Sequence, residues 1–449
     1  MSTVPQSPRA LVIQSLPSES YPSVFSVFAI SYAAYGVSMV LRLMPAFAAN
    51  AMRSDPAIQA NVTAIGAMLA SGTTGALCGK FLWGWAADRW GAKRVFPLAL
   101  LIESFAVAVF SQAQSMGSFQ AAFFVTLLAQ AAGWPCLTRI VQNWAPPGKE
   151  GLIWGSLSTS SRVATLAASL GPAALAGFLP WRDVLLFASA IGAATAIVAF
   201  KLLPPETAPD ERAQRTTSRA AGGTSANASP APHPFANLSL AQTLLGFITS
   251  TRFLLMAAAL LGLAVLWDFL LLAPMMLRDG LQLTNEQALQ AVSAVPFGSL
   301  ISLCAGGLLF DKLTRRGRAI VMGSLTAAAT LCLTLFAALP ALPLAPATLV
   351  PASTGLLFVF GLCLSPCYYI PVSVFSTEFG GPRCGILVAV LDAIGFAAVA
   401  VFCLLSGPIV EQLGWPSLLL LLTAIGLTSS SLLLMFLLRE ARILPTNQE

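Results

Sequence analysis

Charged side chains are scarce in this chain: Asp, Glu, Lys and Arg make up 9% of its 449 residues, while hydrophobic residues make up 57%. Soluble domains carry about 25% charged residues, so this composition excludes an ordinary water-soluble surface. The mean hydropathy of +0.79 agrees with that exclusion. Apolar runs of roughly 20 residues, the length that spans a bilayer, recur along the chain instead. The sequence therefore predicts an all-α integral membrane protein.

Histidine is almost absent, because His233 is the only one and it lies in a polar stretch. Histidine-based catalysis or metal binding inside the membrane is therefore excluded. The eight cysteines are scattered and nearly all lie within apolar runs, which argues against a disulfide framework or a zinc site. The sequence also lacks a G-x-x-x-x-G-K-[ST] loop, which argues against ATP-driven pumping. We expect a protein that is not an enzyme, uses no metal or cofactor, and draws on a gradient of substrate, phosphate or protons.

Apolar runs between charged or Gly/Pro-rich breaks predict twelve transmembrane helices in two sets of six. The first set covers 23–48, 63–87, 95–113, 119–144, 152–178 and 182–203. The second covers 252–277, 288–311, 318–338, 347–372, 384–407 and 414–438. We accordingly expect the following divisions: a cytosolic tail at 1–22, a six-helix bundle at 23–203, a disordered cytosolic linker at 204–250, a second bundle at 251–438 and a cytosolic tail at 439–449.

The basic residues are unevenly distributed between the two sets of loops. If the N-terminus is cytosolic, the outer loops hold only Arg53, Arg182 and Arg278 of the 24 basic residues, and most of the others lie in cytosolic loops and tails. This asymmetry predicts that both termini are cytosolic. It also accounts for the net charge of +6, because the excess basic residues lie in the cytosolic loops that orient the chain in the membrane. No nucleic-acid partner is therefore expected.

One loop motif occurs in both halves. The sequence Gly84-x-x-x-Asp88-Arg89-x-Gly91-x-Lys93-Arg94 follows the second span, and Gly307-x-x-x-Asp311-Lys312-x-x-Arg315-Arg316 follows the eighth. Parallel six-helix repeats around a central cavity are the plan of one large transporter class. Twelve spans with this repeated motif resemble the major facilitator superfamily. The resemblance implies a secondary transporter whose halves rock around a central substrate site in the lipid bilayer, and we expect it to act as a monomer.

Four stretches resemble the organophosphate:phosphate antiporter family, which includes the glycerol-3-phosphate and sugar-phosphate exchangers. These stretches are Tyr32-Ala33-Ala34-Tyr35, Gly79-Lys80-Phe81, Gly133-Trp134-Pro135 with Arg139, Trp144 and Lys149-Glu150-Gly151, and Leu391-Asp392-Ala393-Ile394-Gly395. The resemblance implies exchange of an organic phosphate for inorganic phosphate.

The chain departs from that family at three positions. Met39 stands where those exchangers usually have an Arg, and Arg42 follows about one turn later on nearly the same face. The seventh helix carries Trp267-Asp268 instead of a second substrate Arg. Ser161 stands in place of a family His, with Arg162 beside it.

Charges within the spans are the main candidates for function, because burying a charge in a membrane is costly. Arg162 lies about 15 Å into the fifth span, where it would bind an anionic substrate or form a structural pair with a carboxylate. Asp392 on the eleventh span would take up a proton, pair with a substrate-binding Arg, or make a structural hydrogen bond near Gly395. Lys80 would draw anions into the cavity or extend to the cytosolic interface.

Other residues complete the predicted substrate site and its gates. The tyrosines Tyr32 and Tyr35 on the first helix and Tyr368 and Tyr369 on the tenth would line the cavity of the resembled fold. Gating residues are expected at Asp88, Arg89, Asp311 and Arg315, with Arg139 paired to Asp88. Arg42, a further substrate candidate, and Asp268 would form an outer gate. Glu103 on the third span is expected to serve packing or to extend to the interface.

Two other functions fit the same residues. One is a proton-coupled carrier of a carboxylate or a neutral metabolite, with Asp392 as the proton site. The other is a transporter-like sensor that binds a solute without moving it, although such receptors usually carry a large signalling domain and only short tails are seen here.

Overall fold

The computed structural model describes residues 24–58, 60–144, 150–175, 178–204, 234–235, 238–342 and 345–443. All regular structure in these ranges is helical. The N-terminal half contains α1 (Val24–Phe47), α2 (Ala49–Ser54), α3 (Val62–Trp90), α4 (Ala92–Gln112), α5 (Met116–Gln130), α6 (Gly133–Trp144), α7 (Glu150–Leu175) and α8 (Trp181–Leu202). The C-terminal half contains α9 (Leu240–Ile248), α10 (Thr251–Asp268), α11 (Ala273–Leu281), α12 (Asn285–Val292), α13 (Ala294–Lys312), α14 (Arg315–Ala338), α15 (Pro346–Gly380) and α16 (Cys384–Ile443).

The predicted fold of twelve spanning helices is confirmed. Ten helical segments of the described ranges are long and apolar enough to cross a membrane. The last of these, α16, contains two spans, because Gly414 has φ 80° and ψ 168° and joins two helices across a kink. Glycine adopts this positive φ without strain. The twelfth span is α7, whose polar run Ser158-Thr159-Ser160-Ser161-Arg162 makes it less apolar than the others.

Several predicted spans are interrupted in the structure. The predicted seventh span ends early, because α10 stops at Asp268 and a 3₁₀ turn, Phe269–Leu271, leads into α11. Pro274 lies in the first turn of α11, where a missing amide hydrogen is tolerated. The expectation of a linker disordered up to residue 250 is wrong at its end, because α9 is a helix capped by Ser239. The tail at 1–22 and most of 204–237 lie outside the described residues.

The two halves approach most closely where α3 passes α16. A β-carbon at Gly66 would collide with the backbone carbonyl of Cys403, and one at Gly407 would collide with the backbone of Thr63. The side chains of Lys80 and Asp392, further along the same two helices, are also in contact. The two helices therefore run antiparallel, with their backbones closest near Gly66 and with side-chain contacts continuing toward the bundle centre.

Candidate functional site

Arg162 lies within α7 and points across the boundary between the two halves. The residue is only 6% exposed, and its Nε atom has no hydrogen-bond partner among the described residues. Its guanidinium carbon lies 4.9 Å from the centre of the Trp267 ring and 4.4 Å from that of Tyr369. Aromatic faces attract cations, so these two rings of the C-terminal half stabilise the guanidinium charge, a role that a carboxylate could also have filled.

Three aromatic residues of the C-terminal half form this surface. Trp267 from α10 stacks on Tyr368 of α15, with ring centres 5.9 Å apart and planes 5° from parallel. Tyr369 meets both rings edge-on, at 5.5 Å from Trp267 and 4.6 Å from Tyr368. Rings in such contact restrain each other, so they present Arg162 with a preformed surface.

Asp392 pairs with Lys80 and not with Arg162. The Lys80 Nζ atom donates to Asp392 Oδ2 at 2.6 Å, and the two side chains are 20% and 30% exposed. The ammonium also lies 5.4 Å from the centre of the Phe396 ring, one turn along α16. The interpretation of Lys80 as a residue that extends to the cytosolic interface is therefore wrong, since its charge is held by a carboxylate of the opposite half.

The predicted ion pair between Arg42 and Asp268 is absent from the described part of the chain. Arg42 instead donates through Nη1 to Gln130 Oε1 at 3.3 Å, and its guanidinium carbon lies 5.9 Å from the Phe396 ring centre. Asp268 is the last residue of α10 and is close enough to Arg42 for their charges to interact. The two residues thus lie within electrostatic range of one another, without a hydrogen bond or ion pair between them among the described contacts.

The tyrosines of α1 occupy two different environments. The Tyr32 hydroxyl lies 3.2 Å from Thr159 Oγ1 on α7, close in sequence to Arg162. Tyr35 is buried, and its ring packs 6.0 Å from the ring of Trp134 inside the N-terminal half. Tyr32 therefore lies beside α7, whereas Tyr35 mainly contributes to packing between α1 and α6.

The repeated loop motif lies at the opposite end of α3 from Gly66. Arg139 of α6 donates to Asp88 Oδ1 at 2.7 Å, which is the predicted pair, although the Asp88 side chain is 80% exposed. Arg89 is in the last turn of α3, and Arg315 begins α14. The side chain of Asp311 lies outside the described residues.

The halves are joined by polar contacts at the end of the bundle that contains Asn50. Asn50 donates to the carbonyl of Pro274 at 3.0 Å, and Arg278 donates to the carbonyl of Asn50 at 2.7 Å. Beside them, Arg53 and Asp279 form an ion pair of 2.5 Å. We refer to these contacting residues of α2 and α11 as the Asn50 latch: Asn50, Arg53, Pro274, Arg278 and Asp279.

The sequence identified the charged residues of the site better than it identified the residues that contact them. Gln130, which holds Arg42, carried a usable signal because it is a polar residue at the end of the apolar helix α5. Trp267 was visible beside Asp268 but was not assigned to the site. Phe396 offered no signal, as it is one of 27 phenylalanines.

Comparisons with known proteins agree with this architecture. A family model described as Major Facilitator Superfamily matches residues 24–384. A crystal structure of a mutant of the nucleoside transporter NupG is similar with a TM-score of 0.69 and 15% identity, covering 92% of this chain and 99% of that chain. A D-xylose-proton symporter is similar with a TM-score of 0.69 and 14% identity, covering 95% and 98% of the respective chains.

A third similar structure is a bacterial homologue of the human lysosomal transporter Spinster in an inward-facing, unoccupied conformation. Its TM-score is 0.67 at 14% identity, covering 96% of this chain and 100% of that chain. At such low identities, the likeness to the three structures concerns the fold alone.

Proposed function

The chain belongs to the major facilitator superfamily and is a secondary transporter, and from that premise we propose that it exchanges an organic phosphate for inorganic phosphate by alternating access. The observation that carries this proposal is the state of Arg162, a buried guanidinium that has aromatic faces around it and no carboxylate partner among the residues that the structure describes. Arginine cannot lose its proton under ordinary conditions, so the site keeps its positive charge. An anion is the ligand that such a charge favours.

The geometry around Arg162 suits a phosphate group. The planar guanidinium can donate two parallel hydrogen bonds to phosphate oxygens, which a lysine ammonium cannot do. In this structure Trp267 and Tyr369 stabilise the charge through weaker cation–π contacts. A phosphate can take the place of these contacts, and because the rings belong to the other half, its arrival changes how the halves are held together.

Two further cations line the path between the halves. Lys80 and Arg42 both lie beside the Phe396 ring, and they face the carboxylates Asp392 and Asp268 respectively. With Arg162 included, three cations stand against two carboxylates in this part of the described chain. The remaining positive charge favours an anionic substrate, and release of Lys80 from Asp392 would make another cation available to a phosphate dianion.

The orientation and gating roles belong to the same proposal. With both termini in the cytosol, the Asn50 latch closes the outer end, and the loop containing Asp88 and Arg89 faces the cytosol. Asp88 with Arg139, and Asp311 with Arg315 in the other half, then act at the inner gate. Arg42 and Asp268 lie below the latch and come together in another state of the cycle. Asp88→Asn is expected to slow transport and to leave anion binding intact.

A proton-coupled carrier is the second candidate, and the Lys80–Asp392 pair favours it. Both side chains are partly exposed, so protonation of Asp392 would release Lys80 and separate the halves at this contact. A carboxylate or a neutral metabolite would then be the cargo.

The exchange proposal is tested with the purified full-length protein in liposomes loaded with inorganic phosphate. We expect labelled phosphate to exchange, and a panel of phosphate esters to compete better than carboxylates. Arg162→Lys keeps the charge but loses the planar guanidinium that can donate two parallel hydrogen bonds. Phosphate affinity should therefore fall by about tenfold or more, equal to about 1.4 kcal/mol or more. Arg162→Ala should abolish exchange.

The matched control is Arg442→Lys, since Arg442 is an exposed residue near the end of α16. Unchanged affinity for phosphate and every competing ester in Arg162→Lys would show that Arg162 is structural. Preference for carboxylates, with no exchange of phosphate, would favour the proton-coupled carrier. Specific binding without any exchange would instead identify a sensor.

A further inference from the structure

Glu103 is a buried acidic residue that the proposed exchange mechanism does not use. It lies near the middle of α4 and is 1% exposed, the only acidic residue of the described ranges that is fully buried. The expectation that it extends to the membrane interface is therefore wrong. A carboxyl group at this depth is costly unless it is neutral or well paired, so its surroundings decide its charge.

The hydrogen bonding of Glu103 is incomplete for an ionised carboxylate. Ser38 on α1 donates to Oε2 at 2.7 Å. The other oxygen, Oε1, is buried and has no partner among the described residues. An ionised carboxylate can accept about four hydrogen bonds, and one hydroxyl group supplies only one of them. The arrangement suits a carboxylic acid that carries its proton on the unpartnered side.

One charged residue faces Glu103 from the helices packed around α4, which are α1, α3, α5, α6 and α8. This residue is Arg42 of α1, one turn beyond Ser38, which is close enough to act on the carboxyl group through its charge. The charges of the other helices are engaged elsewhere: Lys80 with Asp392, Arg139 with Asp88, and Arg182 with the carbonyl of Ser111. The remaining ones, Arg89, Asp183 and Lys201, lie in terminal turns, and α5 contains none.

Arg42 has a weak hold on its present partner. Its hydrogen bond to Gln130 is long, at 3.3 Å, and Gln130 is a neutral amide whose nitrogen contacts Met39 Sδ. A carboxylate would bind the guanidinium more strongly than an amide does, because both groups would then be charged. Exchange of Gln130 for Glu103 would therefore give Arg42 a stronger partner, provided that Glu103 has lost its proton.

We propose that Glu103 is a proton-binding site of the transport cycle. It alternates between a protonated state, hydrogen-bonded to Ser38, and an ionised state, paired with Arg42. In the conformation described, the carboxyl group keeps its proton and Arg42 rests on Gln130. When the halves move, the O–H bond of Glu103 breaks, the proton passes to water on the side where the cavity is open, and the carboxylate pairs with Arg42. The proton thus moves in step with the anion, so that besides exchanging two anions the carrier takes up an anion together with a proton, and a pH gradient drives this net uptake.

Of the two tests of this inference, one depends on the proposed anion transport and the other does not. The independent test is infrared difference spectroscopy of the purified full-length protein between acidic and alkaline buffer. We expect a carbonyl stretch from a buried carboxylic acid in the wild type, its loss in Glu103→Gln, and its persistence in Glu378→Gln, where an exposed glutamate of α15 is changed. A band that is absent from the wild type or that survives in Glu103→Gln overturns the proposal.

The dependent test uses liposomes with labelled inorganic phosphate outside and a pH gradient across the membrane. One pH unit can drive up to about tenfold accumulation for each coupled proton. Glu103→Gln should reach equal concentrations on both sides while exchanging phosphate at the wild-type rate, and Glu378→Gln should accumulate phosphate as the wild type does. Accumulation by Glu103→Gln overturns the coupling role. If neither the wild type nor any variant moves phosphate, the proposed substrate is wrong. The infrared result then still decides whether Glu103 binds the proton.

Discussion

Arg162 and Tyr369 come from opposite halves of the chain, and the guanidinium carbon of the first lies 4.4 Å from the ring centre of the second. Since Arg162 is on α7 and Tyr369 on α15, this contact links the two bodies whose relative movement opens the site. The proposed substrate anchor is thus also a connection between the halves. Binding an anion there changes both the charge of the site and the strength of that connection, which is what coupling of binding to movement requires.

Trp267→Leu should destabilise the empty protein and yet strengthen anion binding. The substitution removes one of the rings over Arg162, a contact worth up to about 2 kcal/mol when shielded from water. An anion would then no longer have to displace that ring, so the Kd for inorganic phosphate should fall by up to about thirtyfold. Thermal unfolding and phosphate titration measure the two effects. The control is Trp85→Leu, because Trp85 is an exposed residue of α3.

A fall in both stability and phosphate affinity would contradict this prediction. That result would mean that Trp267 shapes the anion site itself and does not compete with the anion for Arg162.

Cross-linking the Asn50 latch should stop transport reversibly. Arg53 and Asp279 come from different halves, and their charged groups are 2.5 Å apart. In Arg53→Cys with Asp279→Cys, a short bifunctional thiol reagent with a cleavable disulfide should hold this end closed. We expect labelled phosphate exchange to cease after treatment and to return after reduction, with each single cysteine variant as control. Full transport by the cross-linked protein would show that this end need not open.

The fold could be predicted because helix spacing and composition are local properties. Apolar runs of the right length and the repeated Asp88 and Asp311 motifs required no knowledge of contacts. The interruption at Asp268 was not predicted, since Phe269–Leu271 is as apolar as its neighbours and only its 3₁₀ geometry breaks the helix. The helix α9 was missed because Ala, Ser and Thr around it look like linker composition.

The candidate site was predictable only as a list of charges. Arg162, Lys80 and Asp392 were identified because a charge within a span is costly wherever it lies. Their partners depend on how α3 and α7 face α10, α15 and α16, and the sequence of one helix does not determine that. One expectation for Asp392 was therefore a pair with a substrate-binding Arg, whereas the antiparallel approach of α3 and α16 brings it to Lys80.

Labelling from outside intact cells should distinguish the two ends of the bundle. A cysteine introduced as Ser229→Cys lies in the predicted linker, outside the described residues, and should not react with a membrane-impermeant maleimide. Ala57→Cys, at an exposed position beside the latch, should react. The parent protein measures the background from its eight native cysteines. Efficient labelling of Ser229→Cys with no reaction at Ala57→Cys would reverse the orientation.

The Lys80–Asp392 pair offers a test of contact across the halves by charge exchange. Lys80→Asp places two carboxylates together and Asp392→Lys places two ammonium groups together, so each should slow phosphate exchange strongly. The double variant restores opposite charges at the same contact, 2.6 Å long in the parent protein, and should recover part of the rate. The side chains are 20% and 30% exposed, so solvent screening limits the coupling to about 1 kcal/mol, which corresponds to roughly fivefold.

Exchange rates in liposomes, corrected for the amount of folded protein, provide the measurement. The same swap between the exposed Asp88 and its partner Arg139, both within one half, serves as the comparison. If the Lys80 and Asp392 double variant is no faster than the slower single variant, the two residues act separately, Lys80 on the anion and Asp392 on something else.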